Sequence, residues 1–168
     1  MNPVFQLERP DIWDAEKLGK EAEEVKHKAL QFPFTYKGKD FGVIKAVPCL
    51  PQYEVPELEK FRDLFLEQWP NDWGEIAVSY MYIDSEYPWH VDTEVTKRYG
   101  NPKGTLCALN IILNGVNDSV EFEEGKFTYE AAIIDTSKLH RVTPTKERTM
   151  ARISFKDKTF KEVVKGIR

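Results

Sequence analysis

The chain carries only two cysteines, Cys49 and Cys107, and three histidines, His27, His90 and His140, among its 168 residues. Two cysteines cannot build a disulfide framework, and neither sits in a Cys-x-x-Cys or Cys/His zinc pattern, so both are expected as reduced thiols. No stretch approaches the roughly 20 apolar residues of a membrane span, and Met1-Asn2-Pro3-Val4 does not open a signal peptide. A soluble, cytoplasmic protein with no membrane association is expected. Lys and Arg are scattered among a slight excess of Asp and Glu, for a formal net charge of −4. Without a basic block, nucleic acid is a disfavoured partner. The length suits one domain with a real core, spanning residues 1–168.

What is present divides near Gly74. From Pro10 to Leu30 the residues Trp13, Leu18, Ala22, Val25 and Ala29 recur at helical spacing between charges, with Asp11 available as a cap and His27 on the solvated face. Phe41 to Val47 reads as a strand ended by the Pro48/Pro51 turn. Val55 to Trp69 returns to helical spacing through Leu58, Phe61, Leu64 and Phe65, closed by Pro70-Asn71-Asp72. Beyond Gly74 the texture turns to short strands. They run over Ile76–Ile83, Leu106–Leu113, Ser119–Phe122, Lys126–Tyr129, Ala131–Ile134 and Thr149–Phe155, separated by Gly, Asn, Asp or Pro. Many short strands imply a sandwich or barrel, here with a core at about 76–156 behind a helical buttress at about 1–73.

His90 and Asp92 stand at i and i+2, positions that share one face of a strand and can share one metal ion. With His140 they make a possible two-His-one-carboxylate set, the arrangement that holds Fe(II) and leaves positions open for oxygen chemistry. A lone His-x-Asp more often marks a turn or a surface pair, and on position alone His140 better fits a core histidine bonded to a carbonyl. Arg148 and Arg152 bear on that choice. They lie four apart on one face of an apolar strand, and an inward arginine is costly unless it meets an anion such as a carboxylate cosubstrate.

Taken together, His90-x-Asp92, a distal His140 and Arg152-Ile153-Ser154 resemble the Fe(II)- and 2-oxoglutarate-dependent dioxygenases. So do Tyr87-Pro88-Trp89-His90-Val91-Asp92, Leu109 to Asn114, and Ile134-Asp135-Thr136 with His140-Arg141-Val142. The likeness is to small prolyl- and aspartyl/asparaginyl-hydroxylase-like members and covers roughly residues 76–156. It implies a mainly β fold with N-terminal helices: a double-stranded β-helix, a jelly-roll, cupin-like barrel buttressed by two helices. It also implies that His90, Asp92 and His140 ligate iron. Arg152 and Ser154 would grip the distal carboxylate of 2-oxoglutarate, with Arg148 as the alternative because the family's usual spacing falls between the two.

Tyr80, Tyr82 and Asn110 occupy positions that often hydrogen-bond the cosubstrate in the family, although a core edge is the commoner place for such a tyrosine. Trp89 either lines the pocket or packs. The segment Glu94 to Thr105, with Arg98, Tyr99 and Lys103 and with Gly100 and Gly104 as hinges, is either a lid or plain surface. The implied reaction uses molecular oxygen to hydroxylate a C–H bond of a peptidyl residue or small metabolite, releasing succinate and carbon dioxide. Asp92 argues against the halogenating branch. A competing reading is a cupin-type metal-binding barrel that senses, isomerises or binds without oxygen, against which stands the Arg-x-Ser.

Overall fold

The computed structural model describes residues 2–7, 12–96, 104–114, 119–144 and 146–168. In chain order the elements are β1 (Val4–Gln6), α1 (Ala15–Val25), β2 (Leu30–Tyr36), β3 (Lys39–Pro48), α2 (Pro56–Gln68), β4 (Ile76–Ile83) and β5 (Tyr87–His90). There follow α3 (Asp92–Thr96), β6 (Cys107–Ile112), β7 (Val120–Phe122), β8 (Gly125–Phe127), β9 (Ala131–Ile134), β10 (His140–Val142), β11 (Arg148–Phe155) and α4 (Phe160–Ile167). Seven strands form a large sheet in the order β1-β9-β6-β11-β4-β3-β2, and four form a small one in the order β5-β10-β7-β8. From β4 to β11 the chain passes back and forth between these sheets, and the neighbours pair antiparallel. This is a double-stranded β-helix, the jelly-roll expected from the sequence.

The two-residue period of the strands sorts side chains into two cores. Ala151, Ile153 and Phe155 of β11, with Val78, Tyr80 and Tyr82 of β4 and Leu109 of β6, face the helices. Met150, Ile83, Ala132 and Ile134 face the small sheet, meeting Tyr87, Val120, Phe122 and Val142. Arg148 and Arg152 share the parity of Met150 and therefore enter the space between the sheets.

Three helices cover the outer face of the large sheet through Leu18 and Ala22, through Leu58, Phe61 and Phe65, and through Phe160, Val163 and Val164. Asp14 caps α1 by accepting from the Lys17 amide at 3.0 Å, and Thr159 with Glu162 closes a capping box on α4. α2 begins at Val55 and Pro56 and has no cap of its own. Glu21 of α1 supplies it: its carboxylate accepts the Glu57 and Leu58 amides at 2.9 and 3.0 Å, and the Tyr80 hydroxyl at 2.8 Å. A buried anion thus satisfies the open N–H groups of a neighbouring helix.

The strand expected at Phe41–Val47 is β3, and the N-terminal third departs from the expected buttress by adding β1 and β2 as well to the large sheet. The first helix is shorter than Pro10–Leu30. Lys26–Lys28 tightens into a 3-10 turn, Leu30 opens β2, and Asp11 lies outside the described residues. Pro33 disguises β2 in the sequence, but β2 is the sheet's outermost strand, where a missing donor is tolerated. α4 adds a third buttressing helix to the two expected, and the strand expected over Lys126–Tyr129 is Gly125–Phe127. Both cysteines are free, and among the described residues no helix is long and apolar enough to cross a membrane.

Candidate metal centre

β5 ends on His90 and β10 begins on His140, and the two residues are directly opposed in register. Their imidazole centroids lie 4.4 Å apart. The chain leaves the strand at Val91, so Asp92 approaches from the first residue of α3 rather than along a strand face. Its amide donates to the Thr136 carbonyl at 3.0 Å, which pins this corner to the turn before β10. Asp92 Oδ1 then sits 3.2 Å from His90 Nε2 and 3.2 Å from His140 Nε2. All three side chains are buried.

The histidines are oriented from behind. His90 Nδ1 lies 2.6 Å from the Pro88 carbonyl and His140 Nδ1 2.7 Å from the Lys138 carbonyl. A carbonyl only accepts, so each Nδ1 carries the proton and each Nε2 faces Asp92. Two imidazole nitrogens and a carboxylate oxygen that converge in this way form a group able to hold a metal ion. Metal–ligand bonds of about 2.1 Å at right angles place neighbouring ligand atoms about 3.0 Å apart. The observed 3.2 Å spacings match that requirement. The donor set of two neutral imidazoles and a carboxylate fits Fe(II), and the paired backbone carbonyls are the outer support that metal-bound histidines ordinarily have.

Arg152 reaches the other oxygen of the carboxylate, Nη2 to Asp92 Oδ2 at 2.8 Å, while its Nε donates to Ser154 Oγ at 3.0 Å. Burial alone would raise the Asp92 carboxyl. Hydrogen bonds from His140 and His90, with the charges of His140 and Arg152, outweigh it and hold the group well below the ordinary carboxylate range. Aromatic rings wall the centre: Phe34 stacks on Tyr87 at 4.6 Å and meets His90 edge-on at 5.2 Å, and Phe122 lies 5.5 Å from His140.

The centre opens into a cavity of about 360 Å³ between the sheets, whose walls include Arg148, Arg152, Ser154 and Asn110. Arg148 is 1% exposed, and its guanidinium lies 5.5 Å over the Tyr129 ring. Asn110 Nδ2 donates to Tyr129 Oη at 3.1 Å, while its buried Oδ1 has no hydrogen-bond partner among the described residues. The assignment of Tyr80 and Tyr82 to cosubstrate binding is corrected. The inward parity of β4 belongs to Ala77, Ser79, Met81 and Ile83, so both tyrosines point to the helices. Tyr80 donates to Glu21, Tyr82 to the Ala22 carbonyl at 2.5 Å. Burial pushes both phenols up.

Trp89 packs on the outer face of the small sheet beneath the Arg141 guanidinium, 4.9 Å from its ring, and Arg141 pairs with Glu121 at 2.6 Å. Arg98, Tyr99, Gly100 and Lys103 lie outside the described residues. Two cavity residues escaped the sequence reading. Tyr129 follows β8 outside any strand, where period 2 gives no direction; Lys156 continues the parity of Arg152 and Ser154, a signal that was available.

No family model matches the chain, and no curated protein matches it in sequence. Solved structures do match it in fold. A Pseudomonas putida prolyl-4-hydroxylase aligns with a TM-score of 0.58 at 12% identity, covering 94% of each chain. A viral collagen prolyl hydroxylase from Paramecium Bursaria Chlorella virus-1, solved as a 2OG complex, aligns at 0.55 and 13% identity over 91% of this chain and 95% of its own. An oxidoreductase of the 2OG-Fe(II) oxygenase family from Burkholderia pseudomallei aligns at 0.50 and 15% identity, over 92% and 84%. The chain has the fold of the 2OG-Fe(II) oxygenases.

Proposed function

We propose that this protein is a non-haem Fe(II)- and 2-oxoglutarate-dependent oxygenase that hydroxylates a C–H bond of a peptidyl residue or small metabolite. The observation that carries the reading is the convergence of His90 Nε2 and His140 Nε2 on Asp92 Oδ1, with both Nδ1 protons engaged by backbone carbonyls. Bound together, Fe(II) and 2-oxoglutarate would activate molecular oxygen and yield succinate and carbon dioxide. The chain's own part is orientation, charge and exclusion of water. The Pro88 and Lys138 carbonyls hold the imidazoles in the ligating tautomer. Arg152 occupies Asp92 Oδ2 and so presents Oδ1 to the metal.

The preference for Arg152 as anchor of the distal carboxylate gives way on this geometry. Its guanidinium is at the metal centre, spent on Asp92 and Ser154. Arg148 lies four residues back on the same face, about 13 Å along an extended strand. A diacid chelated through its keto end extends away from the metal toward that position. Arg148, with Asn110 and Tyr129 beside it, is therefore the proposed anchor.

The test is an anaerobic titration of metal-free protein with Fe(II) and then 2-oxoglutarate. One iron per chain and a saturable visible charge-transfer band are expected, and His140→Ala should lose both. Iron without the band would favour a non-oxidative cupin-type barrel. Absence of iron binding would refute the reading.

A further inference from the structure

The cavity holds a third cation. The inward face of β11 runs Arg148, Met150, Arg152 and Ser154, and Lys156 continues it just past the strand. Through Asp92, Arg152 marks the metal centre. Arg148 lies four residues to one side of it and Lys156 four to the other, each about 13 Å away along extended chain. A chelated diacid extends to one end only. The other end keeps its positive charge.

Charge balance points the same way. Among the described lining residues Asp92 is the single carboxylate, against Arg148, Arg152 and Lys156. A divalent iron and a doubly charged diacid cancel one another, which leaves three cations facing one anion. Lys156 is half-buried, and its ammonium makes no ion pair or hydrogen bond among the described residues. Burial pushes its pKa down, Glu75 opposes this at longer range and Arg152 adds to it. Surplus positive charge in a partly desolvated cavity draws in an anion.

The Lys156 end also has space. The register sets Ala77 opposite Ser154 and Ser79 opposite Arg152, so small side chains stand there, whereas Met81, Ile83 and Met150 crowd the far end. We propose that the acceptor is a small molecule bearing a carboxylate, and that Lys156 binds that carboxylate at the end of the cavity opposite Arg148. The proposal rests on the oxygenase reading above. A free amino or organic acid meets the requirement; a prolyl residue inside a peptide brings no charge to this position.

The test uses full-length protein loaded anaerobically with Fe(II) and 2-oxoglutarate, so the charge-transfer band first reports on the oxygenase reading by itself. L-proline, L-leucine, L-phenylalanine and hexanoate are then each compared with the corresponding primary amide. Perturbation of the band and, in air, succinate release are followed. At least one acid should act tenfold or more below the concentration its amide requires. Lys156→Met should abolish that preference while changing 2-oxoglutarate affinity less than threefold, and Lys156→Arg should restore it. Equal responses to acids and amides, or silence of every acid with the band present, overturn the proposal. Loss of 2-oxoglutarate affinity in Lys156→Met would overturn it as well, by assigning Lys156 to the cosubstrate. A missing band in the wild type would sink the oxygenase reading instead.

Discussion

Glu21 joins two helices to the large sheet, and its removal should be felt throughout the fold. The residue is 7% exposed and its carboxylate accepts from the Glu57 amide, the Leu58 amide and the Tyr80 hydroxyl. Glu21→Ala strands all three donors. Leu58 and Tyr80 are fully buried, and an unsatisfied buried donor costs about 1–3 kcal/mol. The half-buried Glu57 amide recovers part of its loss from water, and the missing charge at the α2 N-terminus adds up to about 1–2 kcal/mol. A loss of about 3–8 kcal/mol follows, or roughly 6–32 °C in Tm for a chain of this size.

Glu21→Gln keeps an acceptor oxygen and should lose only about 1–2 kcal/mol. Urea denaturation of metal-free protein reads both variants, with the midpoint moving and the m-value unchanged. A Glu21→Ala loss below about 1 kcal/mol would show that water replaces the carboxylate, and the capping argument would fail. Equal losses for Ala and Gln would show that packing rather than hydrogen bonding is at stake.

The two arginines should separate by readout. Arg148→Gln should keep stoichiometric iron and weaken 2-oxoglutarate by about 10- to 100-fold, the equivalent of one or two charge-assisted hydrogen bonds. Arg152→Gln should instead loosen iron itself; the opposite order in anaerobic titrations would return the anchor to Arg152. The depressed Asp92 carboxyl makes the metal-free protein acid-sensitive. Its contribution is fully present above the ordinary carboxylate range near pH 4 and is lost as pH falls below it toward the folded value. Asp92→Asn should flatten that acid limb in pH-dependent denaturation, and at neutral pH should cost about 3–5 kcal/mol by leaving Arg152 unpaired. An unchanged acid limb would contradict the assignment.

Much of the barrel was legible because short apolar and β-branched runs are bounded by Gly, Asn, Asp or Pro. β4, β6 and β11 could be read from Ile76–Ile83, Leu106–Leu113 and Thr149–Phe155 within a residue of their observed ends. β2 was not, since Pro33 reads as a breaker until its place at the sheet's edge is known. β5 and β10 are too short to stand out as such runs. They are recognisable through the histidines they carry.

Alone, the sequence determined the chemistry available to this protein: two imidazoles, a carboxylate and two arginines of one strand parity, on a chain with a single further histidine. Parity along one strand is a local property, and it survives folding. It did not determine which parity of β4 faces inward, so it left Tyr80 and Tyr82 open between the cosubstrate and a core edge. Nor did it divide the tasks of the arginines. Those choices depend on what stands across the cavity. Asp92 and Ser154 claim Arg152, the Asn110–Tyr129 pair lies beside Arg148, and Lys156 meets open space. Contacts between residues far apart in the chain exist only once the two sheets have closed on one another.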